Sequence, residues 1–110
     1  MFIDMTTTNA RESLIVLRED EAAQLAELFR ALGDASRVRI LSAIAEQELH
    51  VGAIAEIAGV SESAVSHHLR GLRQMRLVRA RKDGREVYYT LDDDHVTALF
   101  RQGLEHVRHG

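Results

Sequence analysis

The chain has no cysteine among its 110 residues. Disulfides, thiolate metal sites, cysteine nucleophiles and thiol redox sensing are therefore excluded. Any metal ion must be held by nitrogen and oxygen, a donor set that suits zinc, cobalt or nickel better than soft, thiol-seeking ions. Proline is also absent, in keeping with a mostly helical chain joined by short connections. No apolar run approaches the length of about 18 residues that marks a membrane helix. No charged-then-apolar leader with a small-residue cleavage site opens the sequence. The expectation is a cytoplasmic protein with no membrane partner. At this length one domain is expected, small enough for dimerisation to help it bury a core. Apolar residues make up 45% and charged residues 28%, the balance of an ordinary globular domain.

What is present is unevenly distributed. The formal net charge is −3, yet His67 to Glu86 holds seven basic residues (Arg70, Arg73, Arg76, Arg79, Arg81, Lys82, Arg85) against Asp83 and Glu86, a local +5. A basic stretch inside an acidic chain points to a localised contact with a polyanion. A solvated helix face followed by a charged hairpin would give the same tally.

Residues 1–18 read as a flexible tail, with Thr6, Thr7 and Thr8 in a row and no apolar periodicity. A helix is expected from Glu19 to Leu32, carrying Leu25, Leu28, Phe29 and Leu32 at helical spacing and ended by Gly33. Asp34 or Ser36 caps the next helix, whose Val38, Ile40, Leu41 and Ile44 face the core. A short apolar helix, Val51 to Ala58, then turns at Gly59-Val60 into a helix capped by Ser61 and running to about Met75. Two helices joined in this way form a helix-turn-helix. Leu77–Lys82 and Arg85–Leu91 read as strands, with Asp83-Gly84 as the hairpin turn. A last helix closes the chain. The expected fold is mainly α with a small β-hairpin, and residues 19–110 form one unit.

The second helix of a helix-turn-helix enters the major groove. Its outward positions carry Ser61, Ser63, Ser66, His67 and Arg70, while Ala64, Val65, Leu69 and Leu72 lie on the inward side. Small hydroxyls permit close approach, and arginine and histidine reach base edges or phosphates. The hairpin tip, Arg81-Lys82-Asp83-Gly84-Arg85, is a basic loop suited to phosphate or minor-groove contact, with Lys82 and Arg85 the candidate contacts. Two short helices with a turn also occur in many bundles. The polar outward face, the basic hairpin and the local charge together favour double-stranded DNA. His67 and His68 are adjacent and diverge by 100°, so they do not share one metal ion on a helix.

The last helix carries a second constellation. His95 and His106 are 11 residues apart, about three turns and roughly 16 Å along the axis. They point the same way, but lie too far apart to grip one ion through bonds of about 2 Å. His106 and His109 share a face, and Asp93 with His95 stands where the chain enters the helix. The helix thus holds a pair of candidate ligands at each end. Two copies packed antiparallel about a two-fold axis would bring the first pair of one against the second pair of the other, completing two four-ligand sites. A second reading stays open on spacing alone. Asp92, Asp93 and Asp94 could cap the helix, and His106 and His109 could be cations at its negative pole.

These segments also resemble a known family. Leu28-Phe29-Arg30-Ala31-Leu32-Gly33-Asp34, then Arg37 and Ile40-Leu41, resembles the opening of the ArsR/SmtB family of metal-responsive repressors. Ser61-Glu62-Ser63-Ala64-Val65-Ser66-His67-His68-Leu69 is similar to its recognition helix, and Leu77-Val78 into Asp83-Gly84-Arg85 to its wing. The likeness runs from Glu21 to His109. It implies a winged helix-turn-helix homodimer joined through its first and last helices. The family's Cys-x-Cys site would fall near His50 to Gly52 and is missing, so sensing of lead, cadmium or arsenic through thiolates is not implied. The last-helix site of its zinc and cobalt sensors reads Asp-x-His, ten residues, then His-x-x-His or Glu. Asp93-x-His95 and His106-x-x-His109 match it at every ligand, and in the family the two halves come from opposite protomers.

The resemblance therefore favours metal ligation over capping alone. One carboxylate and three imidazoles suit tetrahedral zinc. Cobalt is a good surrogate. Nickel ranks lower, because the family's nickel and cobalt sensors recruit further ligands from chain ends, whereas Met1-Phe2-Ile3-Asp4 and Gly110 offer no histidine. The expected function is a repressor whose metal-free dimer binds a palindromic operator and whose zinc-bound form releases it, freeing genes for metal efflux or sequestration. A repressor of the same fold sensing nickel, cobalt or a non-metal signal, with structural histidines, is the alternative. An enzyme with a catalytic zinc is disfavoured, because four protein ligands leave no position for an activated water.

Overall fold

A computed structural model describes residues 17–110. Of the tail expected over residues 1–18, positions 1–16 lie outside the described residues. The elements follow in the order α1 (Glu19–Leu32), α2 (Ala35–Ala43), α3 (Val51–Ala58), α4 (Glu62–Gln74), β1 (Val78–Asp83), β2 (Glu86–Leu91) and α5 (Asp94–His109). This is a winged helix-turn-helix, as the sequence pattern implies.

Local chemistry places the helix ends. Of the two candidate caps for α2, Asp34 does the work: its Oδ1 accepts the Arg37 backbone N–H at 3.0 Å. Arg37 in turn donates through Nε to the Ala31 carbonyl at 2.8 Å, satisfying an acceptor at the end of α1, and through Nη2 to the Arg30 carbonyl at 3.2 Å, which also accepts the Gly33 N–H. Gly59 takes φ 72° after α3, and its N–H closes onto the Ala55 carbonyl. That left-handed conformation favours glycine, since a side chain there would be strained. Ser61 opens α4, its hydroxyl accepting the Ala64 N–H at 3.1 Å.

The core forms where α2, α3 and α4 converge. Ile40, Leu41, Ile44, Ile54, Val65, Leu69 and Leu72 are the large side chains almost wholly excluded from solvent. Val38 is only half buried. Because Val65, Leu69 and Leu72 occupy one side of α4, the opposite side is turned outward.

After α4 the chain reverses through Arg76, which adopts φ 61°, a left-handed conformation uncommon for a residue with a side chain. The strands pair antiparallel from Val78↔Leu91 to Asp83↔Glu86. The turn is therefore Gly84-Arg85 and not the expected Asp83-Gly84. Asp83 stays in the ladder, and Gly84, at φ 65°, takes the first turn position, where glycine meets no steric penalty. The hairpin does not stand alone. Leu49, just before α3, pairs with Tyr89 through N–H···O bonds of 2.8 and 3.1 Å.

The α5 helix has no fully buried residue. Val96 and Phe100 pack against the core, Leu99 and Leu104 are half buried, and Val107 is left largely exposed.

Candidate nucleic-acid interface and metal half-sites

The burial of Val65, Leu69 and Leu72 settles what α4 presents to solvent. Ser61, Ser63, Ser66, His67 and Arg70 are all exposed on it. Two clefts flank this ridge. One lies toward α1 and α2, lined by Arg30, Arg37, His67 and His68. The other lies toward the hairpin, lined by Ser66, Arg73, Gln74 and Tyr89. Arg70 borders both. His67 and His68 diverge as their adjacency requires, their ring centroids 5.7 Å apart and tilted by 59°.

The basic residues of the stretch divide into two kinds. Lys82 and Arg85 are exposed at the hairpin end and enter no ion pair among the described residues. Arg81 is different, because it is not part of a free basic tip. It pairs across the ladder with Tyr88 and holds Glu48 through Nη2 at 2.8 Å and Nε at 3.1 Å. Its guanidinium also lies 5.4 Å from the Tyr88 ring centroid. Arg79 donates to the Asp92 carbonyl at 2.8 Å and so braces the start of α5. Both arginines belong to the local +5, yet each is engaged within the chain.

His50, to which the sequence assigned no role, caps α3, its Nδ1 accepting the Ala53 N–H at 3.3 Å. Its ring meets Tyr88 edge-on at 5.9 Å. Capping by histidine has a weaker sequence signature than capping by Ser, Thr, Asp or Asn, and this role was missed for that reason.

The candidate metal ligands stand at the two ends of α5. Asp93 caps the helix, its Oδ1 accepting the Val96 N–H at 3.0 Å. That bond, with the nearby His95 as a lesser contributor, holds the Asp93 carboxyl below the usual carboxylate range. It is thus anionic at neutral pH, as a ligand must be. His95 Nδ1 lies 3.7 Å from Asp93 Oδ1, and its side chain is almost wholly exposed. His106 and His109 line an open cleft at the far end with Gln102 and Glu105. Among the described residues, no three His, Asp or Glu side chains come together to hold an ion. Capping by Asp93 is therefore realised in the single chain, and each end of α5 offers two candidate donors rather than a complete site.

Between these ends runs an apolar groove formed by Phe29 and Leu32 of α1 with Leu99, Phe100, Leu104 and Val107 of α5. Phe29 is 56% and Val107 77% exposed. Large apolar side chains left in water along two neighbouring helices mark a surface for association.

Residues 34–80 match the family described as bacterial regulatory protein, arsR family. Over 93 residues the chain is 53% identical to a transcriptional repressor SmtB homolog from Synechocystis sp., covering 84% of this chain and 70% of that protein. The structure of the AntR antimony-specific transcriptional repressor superposes with a TM-score of 0.79 at 27% identity, covering 93% of each chain. A homodimeric winged helix-turn-helix DNA-binding domain from Mycobacterium bovis, of a possible ArsR-family regulator, superposes at 0.72 with 31% identity, covering 88% of this chain and 96% of that one. These relatives are transcriptional regulators, not enzymes.

The Glu48–Arg81 contact makes a testable statement about acid. Hydrogen bonds from Arg81 hold the Glu48 carboxyl below the usual carboxylate range. The contact is therefore complete above the ordinary glutamate value and is lost as pH falls through the lowered one. The Arg81 Nε–H resonance should sit away from the free-arginine position at neutral pH and move to it in acid. In Glu48→Ala, which removes the acceptor, it should lie near that position already at neutral pH. An Arg81 resonance that ignores the substitution would show that Glu48 does not hold it.

Proposed function

The chain belongs to the ArsR/SmtB family of bacterial regulatory proteins, and on that premise we propose that it is a metal-sensing transcriptional repressor. Residues 19–110 serve as one DNA-binding and dimerisation unit. The observation that carries the sensing reading is the separation of four suitable donors into two pairs at opposite ends of α5. Asp93 and His95 of one protomer and His106 and His109 of the partner subunit would hold one ion, and two-fold symmetry supplies a second site. One carboxylate and three imidazoles fit tetrahedral zinc, with cobalt as a surrogate and nickel ranked lower. The unpartnered groove between α1 and α5 supports a homodimer in which these ends can meet.

The DNA reading rests on α4. Ser61, Ser63, Ser66, His67 and Arg70 face the major groove of a palindromic operator, and Lys82 and Arg85 reach phosphate or the minor groove. The metal-free dimer binds the operator in the cytoplasm; no helix among the described residues is long and apolar enough to cross a membrane. Zinc supplies a cross-link between the two α5 helices. Dimers joined in this way favour a shape whose α4 helices no longer match successive major grooves, so genes for metal efflux or sequestration are freed. Metal must bind the DNA-free form more tightly, and linkage then requires DNA to weaken metal binding by the same factor.

Titrating zinc into an operator complex tests the sensing reading. Wild-type protein should be released. His109→Ala should bind the operator almost normally without metal, because the residue lies at the far end of α5 from α4, yet zinc should release it poorly. Normal release of this variant by zinc would remove His109 from the switch.

The DNA contacts are tested by salt dependence. Lys82→Ala should weaken all sequences alike and lower the log–log salt slope by about one unit, as expected for one lost phosphate contact. Ser66→Ala should instead change which operator sequence is preferred. A Lys82 variant that alters sequence preference while keeping the full slope would reassign that residue to base recognition.

A further inference from the structure

The helix that carries both metal half-sites touches the rest of its own protomer through few polar contacts. One lies near its middle. Arg101 Nη2 donates to Glu46 Oε2 at 2.7 Å. Glu46 belongs to the segment between α2 and α3, and two residues later the same segment presents Glu48 to Arg81 of the wing. The segment is also fastened to β2: the Ile44 carbonyl accepts the Thr90 hydroxyl at 3.2 Å, and Leu49 pairs with Tyr89. One short connection therefore grips α5 with one carboxylate and the wing with another.

We propose that Glu46 and Arg101 are positioning residues that carry the state of α5 to the wing through the 44–50 connection. This rests on the reading that α5 binds metal and that metal releases DNA. The pair is poorly explained as a stabilising contact, since its side chains are 60% and 70% exposed, and exposed ion pairs contribute little to folding. What it does fix is where α5 lies against a segment whose other hydrogen bonds to sequence-distant positions run to the wing strands. A shift of α5 must either carry that segment, and Arg81 with it, or break the Glu46–Arg101 contact. Coupling between distant sites requires a contiguous element whose two arrangements both sites bias. The path from α5 through Glu46 and Glu48 to the wing is contiguous.

The test compares zinc release of a fluorescent operator duplex for wild type, Glu46→Gln and Arg101→Gln, alongside zinc binding without DNA. Each variant should bind metal-free operator and zinc within about 2-fold of wild type, as surface substitutions usually do. The factor by which zinc weakens operator binding should fall by about 3- to 10-fold. Exchanging the charges in one protein, Glu46→Arg with Arg101→Glu, should restore most of that factor, which a loss of local packing would not predict. Wild-type release by either single variant overturns the proposal. So does a charge-exchanged protein that binds metal-free operator normally and yet stays uncoupled. A wild-type complex that zinc leaves intact would overturn the sensing reading itself, and the proposed link with it.

Discussion

A helix of 16 residues is about 24 Å long, and it does not bend back on itself. In α5 this rigidity keeps Asp93 and His95 away from His106 and His109, so no arrangement of one chain lets the two pairs share an ion. The same helix has a long apolar side for which its own chain supplies little cover, since Val107 is largely exposed and none of its residues is fully buried. Both deficits have one remedy. A second copy placed about a two-fold axis would cover Phe29, Leu104 and Val107 and would bring opposite ends of the two helices together. In the proposed function, dimerisation and metal binding are consequences of one geometric constraint rather than separate devices.

DNA recognition depends on a different division of labour, made inside α4. Burial of Val65, Leu69 and Leu72 fixes the rotation of the helix about its axis, and that rotation sends the serines, His67 and Arg70 outward. The surrounding arginines do not all add to this surface. Arg37 closes the end of α1, Arg79 braces the start of α5 and Arg81 holds Glu48. The free charge of the wing is carried by Lys82 and Arg85, fewer cations than the sequence tally suggests. Spending arginines internally gives the wing a defined position, which a reader of groove spacing requires.

The sequence disclosed those features whose physics is local. Periodicity locates the helices, short polar side chains mark the cap at Ser61 and narrow the others to Asp34 or Ser36 and to Asp92, Asp93 or Asp94, and adjacency shows that His67 and His68 diverge. The hairpin was found but its turn was displaced by one residue, because Asp83-Gly84 and Gly84-Arg85 both satisfy the need for glycine. Only the ladder pairing of Asp83 with Glu86 distinguishes them. Contacts between distant positions left no local trace. Glu48 and Arg81 are 33 positions apart, and Glu46 and Arg101 are 55 apart, and either member of each pair reads in isolation as an ordinary surface charge. The apolar spacing of α1 showed that Leu25 and Phe29 share a face. It carried no information on whether that face is covered by the same chain or by another.

The central claim is that each proposed metal site draws its two halves from different protomers, and mixed dimers test it most directly. His95→Ala and His106→Ala homodimers should each lack tight zinc binding, although the residues lie at opposite ends of α5. In a heterodimer of the two, the His106→Ala subunit still supplies Asp93 and His95, and the His95→Ala subunit still supplies His106 and His109. The account predicts one tight site per heterodimer, read by zinc titration on dimers whose composition is verified by native mass spectrometry. Heterodimers that form but recover no zinc binding would contradict it.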